Sequence, residues 1–250
     1  MKMNPFLKTI LLLLLGIAAL PGCKDDKTLA GTFLGEKTAL GDGTVQTYLV
    51  RDDDGQPVEA GVILTETAFA SLPHEETALS LDFPKEAEST LVQHMGFDWN
   101  PHGHEPAGVY DSPHFDIHFY LISEAERMAI SPTDTVKGNL YPDAAYLPAD
   151  HIPTGFVPQM GTHWVDLQSP ELNGQPFTST FIFGSYDGEV NFYEPMITQN
   201  MVSLAGSLAK PIKQPQKYPV EGKYYAQTYG LRHDAGVKGY KFYLTDFEKR

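Results

Sequence analysis

The sequence predicts an all-β, mainly antiparallel, β-barrel-like single domain with few short helices and long proline-rich loops. Three observations predict it. Runs rich in Val, Ile, Thr, Tyr and Phe are separated by turns bearing Gly and Asp; prolines recur through the middle of the chain too often for long helices; and residues 113–121 alternate polar and apolar with a period of two. The chain has 250 residues, 42% hydrophobic and 20% charged, which is enough for one sizeable core. With no internal repeat and no break in composition, the domain is expected to run from residue 31 to residue 250.

Lys2 and Lys8 precede an apolar run over residues 9–20 that is too short to span a bilayer comfortably and suits a signal-peptide core. It ends at Leu20-Pro21-Gly22-Cys23, which resembles the bacterial lipobox, where the cysteine is diacylated before cleavage. Cys23 is the single cysteine of the chain and falls where a lipobox needs it. The expectation is therefore a lipoprotein signal peptide over 1–22, lipidation at Cys23 and a tether over 23–30, with Lys24-Asp25-Asp26-Lys27 as its polar part. An acidic run after the cysteine also resembles the surface-export signal of some Gram-negative lipoproteins. The expected address is the bacterial cell envelope, with the domain anchored to the outer membrane on its periplasmic face or at the cell surface.

Next, residues 44–50 and 61–64 read as a hairpin around Asp52-Asp53-Asp54-Gly55. The triple Asp lacks the alternate ligands and terminal glutamate of an EF-hand loop. Ser123 and Glu126 have capping-box spacing and open one short helix toward Ile130. Residues 131–160 read as a long ordered proline-rich loop. Two further hairpins pair 177–183 with 189–193 and 223–231 with 239–244. In the last, Tyr224, Tyr225, Tyr229, Tyr240 and Tyr243 would either offer an aromatic surface to a glycan or another subunit, or close the barrel.

The chemistry concentrates in the histidines. Nine are present, and His94, His102, His104, His114 and His118 lie close together in sequence. In the period-two segment, Phe115, Ile117, Phe119 and Leu121 form one strand face, which must be core. His114, Asp116, His118 and Tyr120 form the other. Residues on a simply solvated face would be Lys, Glu, Thr and Ser; these four bind metals or orient one another. His114 and His118 stand about 13 Å apart on a strand, so they cannot easily share one ion, and other ligands must come from elsewhere. His104, in the His102-Gly103-His104 loop, and His163, beside Trp164, are suppliers, and Glu194 is a carboxylate among aromatic residues that is buried only if paired. The candidate metal ligands are thus His104, His114, His118, His163 and Glu194, with Asp116, His102 and Tyr120 as orienting neighbours. Imidazole and carboxylate without thiolate favour zinc first, then iron, copper, nickel or manganese.

Composition also excludes. A formal net charge of −14, with 18 basic residues against 32 acidic ones, argues against non-specific binding of nucleic acid. One cysteine excludes an intramolecular disulfide, an iron–sulfur cluster and a thiolate zinc site. The serine of Gly184-Ser185-Tyr186-Asp187-Gly188 lies one place too early for a nucleophile elbow.

Several of these strings together resemble one family: Gly41-Asp42-Gly43-Thr44, Asp54-Gly55-Gln56-Pro57, the segment 98–106 with Tyr110, the segment 113–120, Met160-Gly161-Thr162-His163-Trp164-Val165-Asp166 and Glu194-Pro195-Met196. They are similar to a bacterial family of unknown function, of secreted β-barrel-like proteins whose prototype is under extracytoplasmic-stress sigma-factor control. The resemblance implies a barrel-like fold and a homo-oligomer and supplies no activity. Two readings follow. One is an envelope protein binding a divalent metal, where an open coordination position would give hydrolase or lyase chemistry on a small-molecule substrate. The other is a non-enzymatic binding or oligomeric scaffold module whose histidines form a structural hydrogen-bond network.

Overall fold

A computed structural model describes residues 29–250. The expected signal peptide, Cys23 and most of the tether lie outside the described residues. The chain opens with the strands β1 (Gly31–Leu40), β2 (Gly43–Arg51) and β3 (Pro57–Thr65), then the short helix α1 (Glu66–Ala70). Strands β4 (Thr77–Asp82), β5 (His94–Asn100) and β6 (His114–Tyr120) follow, then helices α2 (Glu124–Met128) and α3 (Thr135–Gly138). Next come β7 (His151–Val157), β8 (Gly161–Asp166), β9 (Ser179–Tyr186), β10 (Glu189–Thr198) and helix α4 (Gln199–Ala205). The chain finishes with β11 (Ser207–Pro211), β12 (Tyr224–Tyr225), β13 (Thr228–Asp234), β14 (Gly239–Thr245) and β15 (Glu248–Lys249).

Two antiparallel sheets carry the fold. The first has six strands in the order β1-β2-β3-β14-β13-β11, the second seven in the order β4-β5-β6-β10-β9-β8-β7. The all-β, mainly antiparallel domain with few short helices is as expected, but neither sheet closes on itself, so the architecture is two open sheets face to face. Their inner faces interdigitate: Phe242 of the first meets Phe115 and Phe97 of the second at ring-centroid distances of 5.3 and 5.9 Å, and Tyr229 meets Phe181 at 5.2 Å. Phe97, Phe115, Ile117, Phe119 and Phe242 are all fully buried there. Each such side chain contributes about 1.5–3 kcal/mol of burial.

The hairpins read from the sequence form as β2–β3, β9–β10 and β13–β14. Helix α2 has the capping box, with the Ser123 hydroxyl accepting from the Glu126 N–H and the Glu126 carboxylate accepting from the Ser123 N–H. Residues 131–160 are not simply a loop, since α3 and β7 lie within them. β7 is an edge strand, where Pro153 sacrifices no ladder bond and Gly155 marks a shift in register. β1 escapes sequence reading because it too is an edge, largely exposed and irregular between Leu34 and Lys37. The C-terminal tyrosines do not share one surface. Tyr229 packs in the core, Tyr243 lies on the outer face beneath Arg232, Tyr240 packs on Phe69, and Tyr225 is buried with its hydroxyl donating to the Val220 carbonyl. Strand alternation sends β14 residues 240 and 243 to opposite faces, which is what splits them.

The outer face of the second sheet positions the site. Tyr110, Val165, Phe177, Ile182 and Met196 form a small second core there, and Val109 and Leu172 pack against it. It covers the sheet face that bears the histidines, so every residue of β6 is buried, polar ones included.

Candidate metal centre

Register places the side chains. In β6, His114, Asp116, His118 and Tyr120 face away from the main core, and the neighbouring strands place Asn100, Asp98, Gly96 and His94 of β5 directly opposite them. β10 runs along the other side of β6, with Phe192 opposite Tyr120 and Met196 opposite Asp116, which sets Glu194 level with His118. Pro195 has no N–H to give, and the ladder to β6 is interrupted between Tyr193 and Met196, beside Glu194. His163 arrives from β8, two strands away, opposite Gly184 of β9. Gly184 makes that approach feasible: a Cβ there would sit 1.9 Å from the Phe192 ring, so only glycine lets Phe192 lie across the sheet against His163 at 4.9 Å.

The five expected ligands do not converge on one point. They divide into two groups along β6, as the spacing of His114 and His118 requires. His118, His163 and Glu194 form one group, and His104 and His114 gather around Asp116 in the other, each group offering ligand atoms within 4.8 Å of one another. In the first group, His118 Nε2 is 3.4 Å from Glu194 Oε1 and His163 Nε2 is 3.5 Å from Glu194 Oε2. In the second, His104 Nε2 and His114 Nε2 each stand 3.1 Å from an oxygen of Asp116. A third constellation, Asp150, His151 and Asp166, already holds a cation, because the Lys213 ammonium bonds to both aspartates.

Asp116, expected as an orienting residue, lies beside His114 and not beside His118. It sits between His104 and His114 and accepts a hydrogen bond from the Asn100 amide at 2.8 Å. Asp98 is the carboxylate beside His118, with Oδ2 3.3 Å from Nδ1. Tyr120 orients by stacking, its ring 5.6 Å from His118 and nearly parallel, and its buried hydroxyl has no hydrogen-bond partner. His102 is exposed on the turn and takes no part, since Gly103, with φ of +67°, turns the backbone so that His104 alone faces inward. Asp98 and Asn100 carried a legible signal: His94, Gly96, Asp98 and Asn100 alternate with Met95, Phe97 and Trp99 just as in β6.

Electrostatics follow from burial and pairing. Burial pulls the His118 imidazole down, but the Glu194 and Asp98 carboxylates outweigh it and raise its pKa to about 9. Glu194 is pushed up to about 8, chiefly by burial, against the pull of His118. His163 falls to about 3 through burial and the His118 charge beside it. His104 is raised to about 9, its Asp116 hydrogen bond and charge overcoming burial, and Asp116 is held well below the usual carboxylate range by its two imidazoles despite burial. A cleft of about 920 Å³ opens over these groups; Asp98, Asp116, His118, His163 and Glu194 line it together with apolar Val157, Met160, Ile182 and Met196.

The fold and this cleft define a class: an all-β protein with two imidazole–carboxylate groups side by side on the covered face of one sheet. A family model described as TTHB210-like, hypothetical protein TTHB210, matches residues 52–99, the stretch that carries β3, α1, β4 and most of β5. Over those residues the chain is similar to that family; Asp98 lies inside the match and the five expected ligands beyond it. No curated protein and no solved structure matches the chain.

Proposed function

We propose that this protein is a lipid-anchored protein of the bacterial cell envelope, tethered to the outer membrane through Cys23, that holds a divalent transition metal, zinc foremost, at His118, His163 and Glu194. One observation carries the metal reading. His118 Nε2 and Glu194 Oε2, which face the point where the three side chains meet, are buried without a hydrogen bond, which is costly unless something else satisfies them. The spacing supports it: ligand atoms around a tetrahedral zinc ion with bonds of about 2.0–2.1 Å stand about 3.4 Å apart. The contacts here are 3.4 Å from His118 to Glu194 Oε1 and 3.5 Å from His163 to Glu194 Oε2, one carboxylate oxygen facing each imidazole. Asp98 stands 3.3 Å from His118 Nδ1, a carboxylate beside the nitrogen that would not ligate.

Three protein ligands beside a cleft leave one coordination position free, the pattern of a catalytic rather than a structural zinc, and the ion would there act as a Lewis acid on a bound molecule. The anchor rests on the lipobox-like string. Secretion, stress control and self-association rest on the family resemblance and belong to the same proposal. The test is elemental analysis of the full chain purified in detergent, beside His118→Ala and Glu194→Gln variants. Bound metal that falls by one equivalent in both variants supports the reading. Well-folded protein that takes up no zinc, cobalt or manganese on titration overturns it and leaves the histidines as a structural network in a binding or scaffold module.

A further inference from the structure

We propose that the His104–His114–Asp116 group binds a second divalent transition cation, separate from the ion at His118, His163 and Glu194. His104 Nδ1 is 2.7 Å from the Glu105 carbonyl oxygen and His114 Nδ1 is 2.6 Å from the Ser112 carbonyl oxygen. A carbonyl accepts only, so both imidazoles carry their hydrogen on Nδ1, and in the neutral form each presents a lone pair on Nε2. Both Nε2 atoms stand 3.1 Å from the Asp116 carboxylate, His104 aligned for a hydrogen bond with Oδ2 and His114 without one to Oδ1. A lone pair against an anion is repelled unless positive charge lies between them.

Two occupants meet that need with the same net charge: two protons, giving two imidazoliums, or one divalent cation between neutral rings. Alignment favours the cation. His114 Nε2 and Asp116 Oδ1 are 3.1 Å apart, yet neither makes a hydrogen bond, so the two atoms lie side by side instead of pointing at one another. Donors that converge on a third point have this arrangement; a His114 imidazolium would aim its N–H at Oδ1, as His104 is aligned on Oδ2. His114 is fully buried, which adds a desolvation cost to any protonated form that is not well bonded.

The surroundings are built to hold the group in place. Asn100 donates to Asp116 Oδ2 and leaves Oδ1 free, while Tyr110 and Phe177 pack edge-on against the two imidazoles. Gly103 admits the tight backbone that brings His104 in; a Cβ there would meet the Tyr110 carbonyl oxygen at 2.2 Å. Asp116 and His118 are two residues apart on one strand face, so the two ions would stand roughly 7 Å apart, each with its own ligands.

The test counts zinc bound by the full chain at neutral pH, beside His104→Ala, which alters a half-exposed loop residue, Asp116→Asn, which keeps the shape, and His163→Ala. Two equivalents in the unaltered protein and one in each variant is the expected result. One equivalent that His104→Ala and Asp116→Asn leave untouched overturns the second site and leaves the first standing. One equivalent lost in those two variants but kept in His163→Ala upholds this site and overturns the reading of His118, His163 and Glu194. A single equivalent lost in all three variants means one shared ion and overturns the separation, and no bound zinc overturns both sites. Should the variants fail to fold, cobalt titration of the unaltered chain followed by visible absorption decides alone: two saturating phases support the inference and one phase overturns it.

Discussion

His118 and Glu194 hold their protons more tightly in the folded protein than in water, with pKa values of about 9 and about 8. The folded state therefore binds more protons than the unfolded chain across neutral pH, and for both groups stability is lost as pH rises toward those values. His163 acts with the opposite sign: its depressed pKa of about 3 adds stability as pH rises to its ordinary value of 6.5, and nothing beyond. Above about pH 6.5 the falling contributions stand unopposed within this group. Chelated protein should accordingly melt at progressively lower temperature from pH 6.5 to pH 9 in a calorimetric series. Zinc should reverse that slope, because the ion displaces the same protons and binds more tightly as they leave. A melting temperature that is flat in chelator over this interval would count against the charge arrangement described for this site.

At the scale of the strand, the centre depends on residues that ligate nothing. Gly184→Ala would push its Cβ into Phe192, the ring that packs edge-on against both His118 and His163. Overpacking of this kind costs about 1–3 kcal/mol. The displaced ring would also lower zinc affinity by about tenfold, as loss of supporting neighbours commonly does. Urea titration and zinc titration of the same variant measure the two effects; unchanged zinc affinity despite lower stability would show that Phe192 only packs. The strands that hold the ligands were legible to different degrees. β6 announced itself because its alternation is complete. β5 has the same alternation with a glycine among its polar positions, so Asp98 went unread as the partner of His118. β7 hid because an edge strand tolerates the Pro and Gly that ordinarily mark loops.

Across the whole molecule, the two sheets share one main core, and Phe242 of the first packs in it against two rings of the second. Phe242→Ala should cost about 3–5 kcal/mol, lowering stability in a single cooperative urea transition instead of releasing one sheet before the other. Two separated transitions would show that the sheets fold as independent units. The anchor belongs to this scale as well. In a bacterial host, the full chain should fractionate with membranes and take up labelled fatty acid, and Cys23→Ala should abolish the label and release the protein from the outer membrane. Membrane association that survives the substitution would place the attachment elsewhere.

The sequence alone determined the all-β class, three hairpins, the capped helix α2 and the division of β6 into a core face and a chemical face. These are properties of periodicity, turn chemistry and local hydrogen bonding, which act over a few residues and need no partner. It also named the five imidazole and carboxylate side chains that gather on that face, because such residues are out of place on a solvated strand. Only the tertiary structure decided how they are shared out. His163 lies 45 positions beyond His118, and Glu194 further still, so their meeting depends on strand order and on register across four strands. The same register set Asp98, and not Asp116, beside His118 and divided the candidate ligands between two groups. Closure was likewise a tertiary matter: alternation identifies a face to be buried, but whether a sheet buries it by curling on itself or by stacking on a second sheet depends on long-range strand pairing.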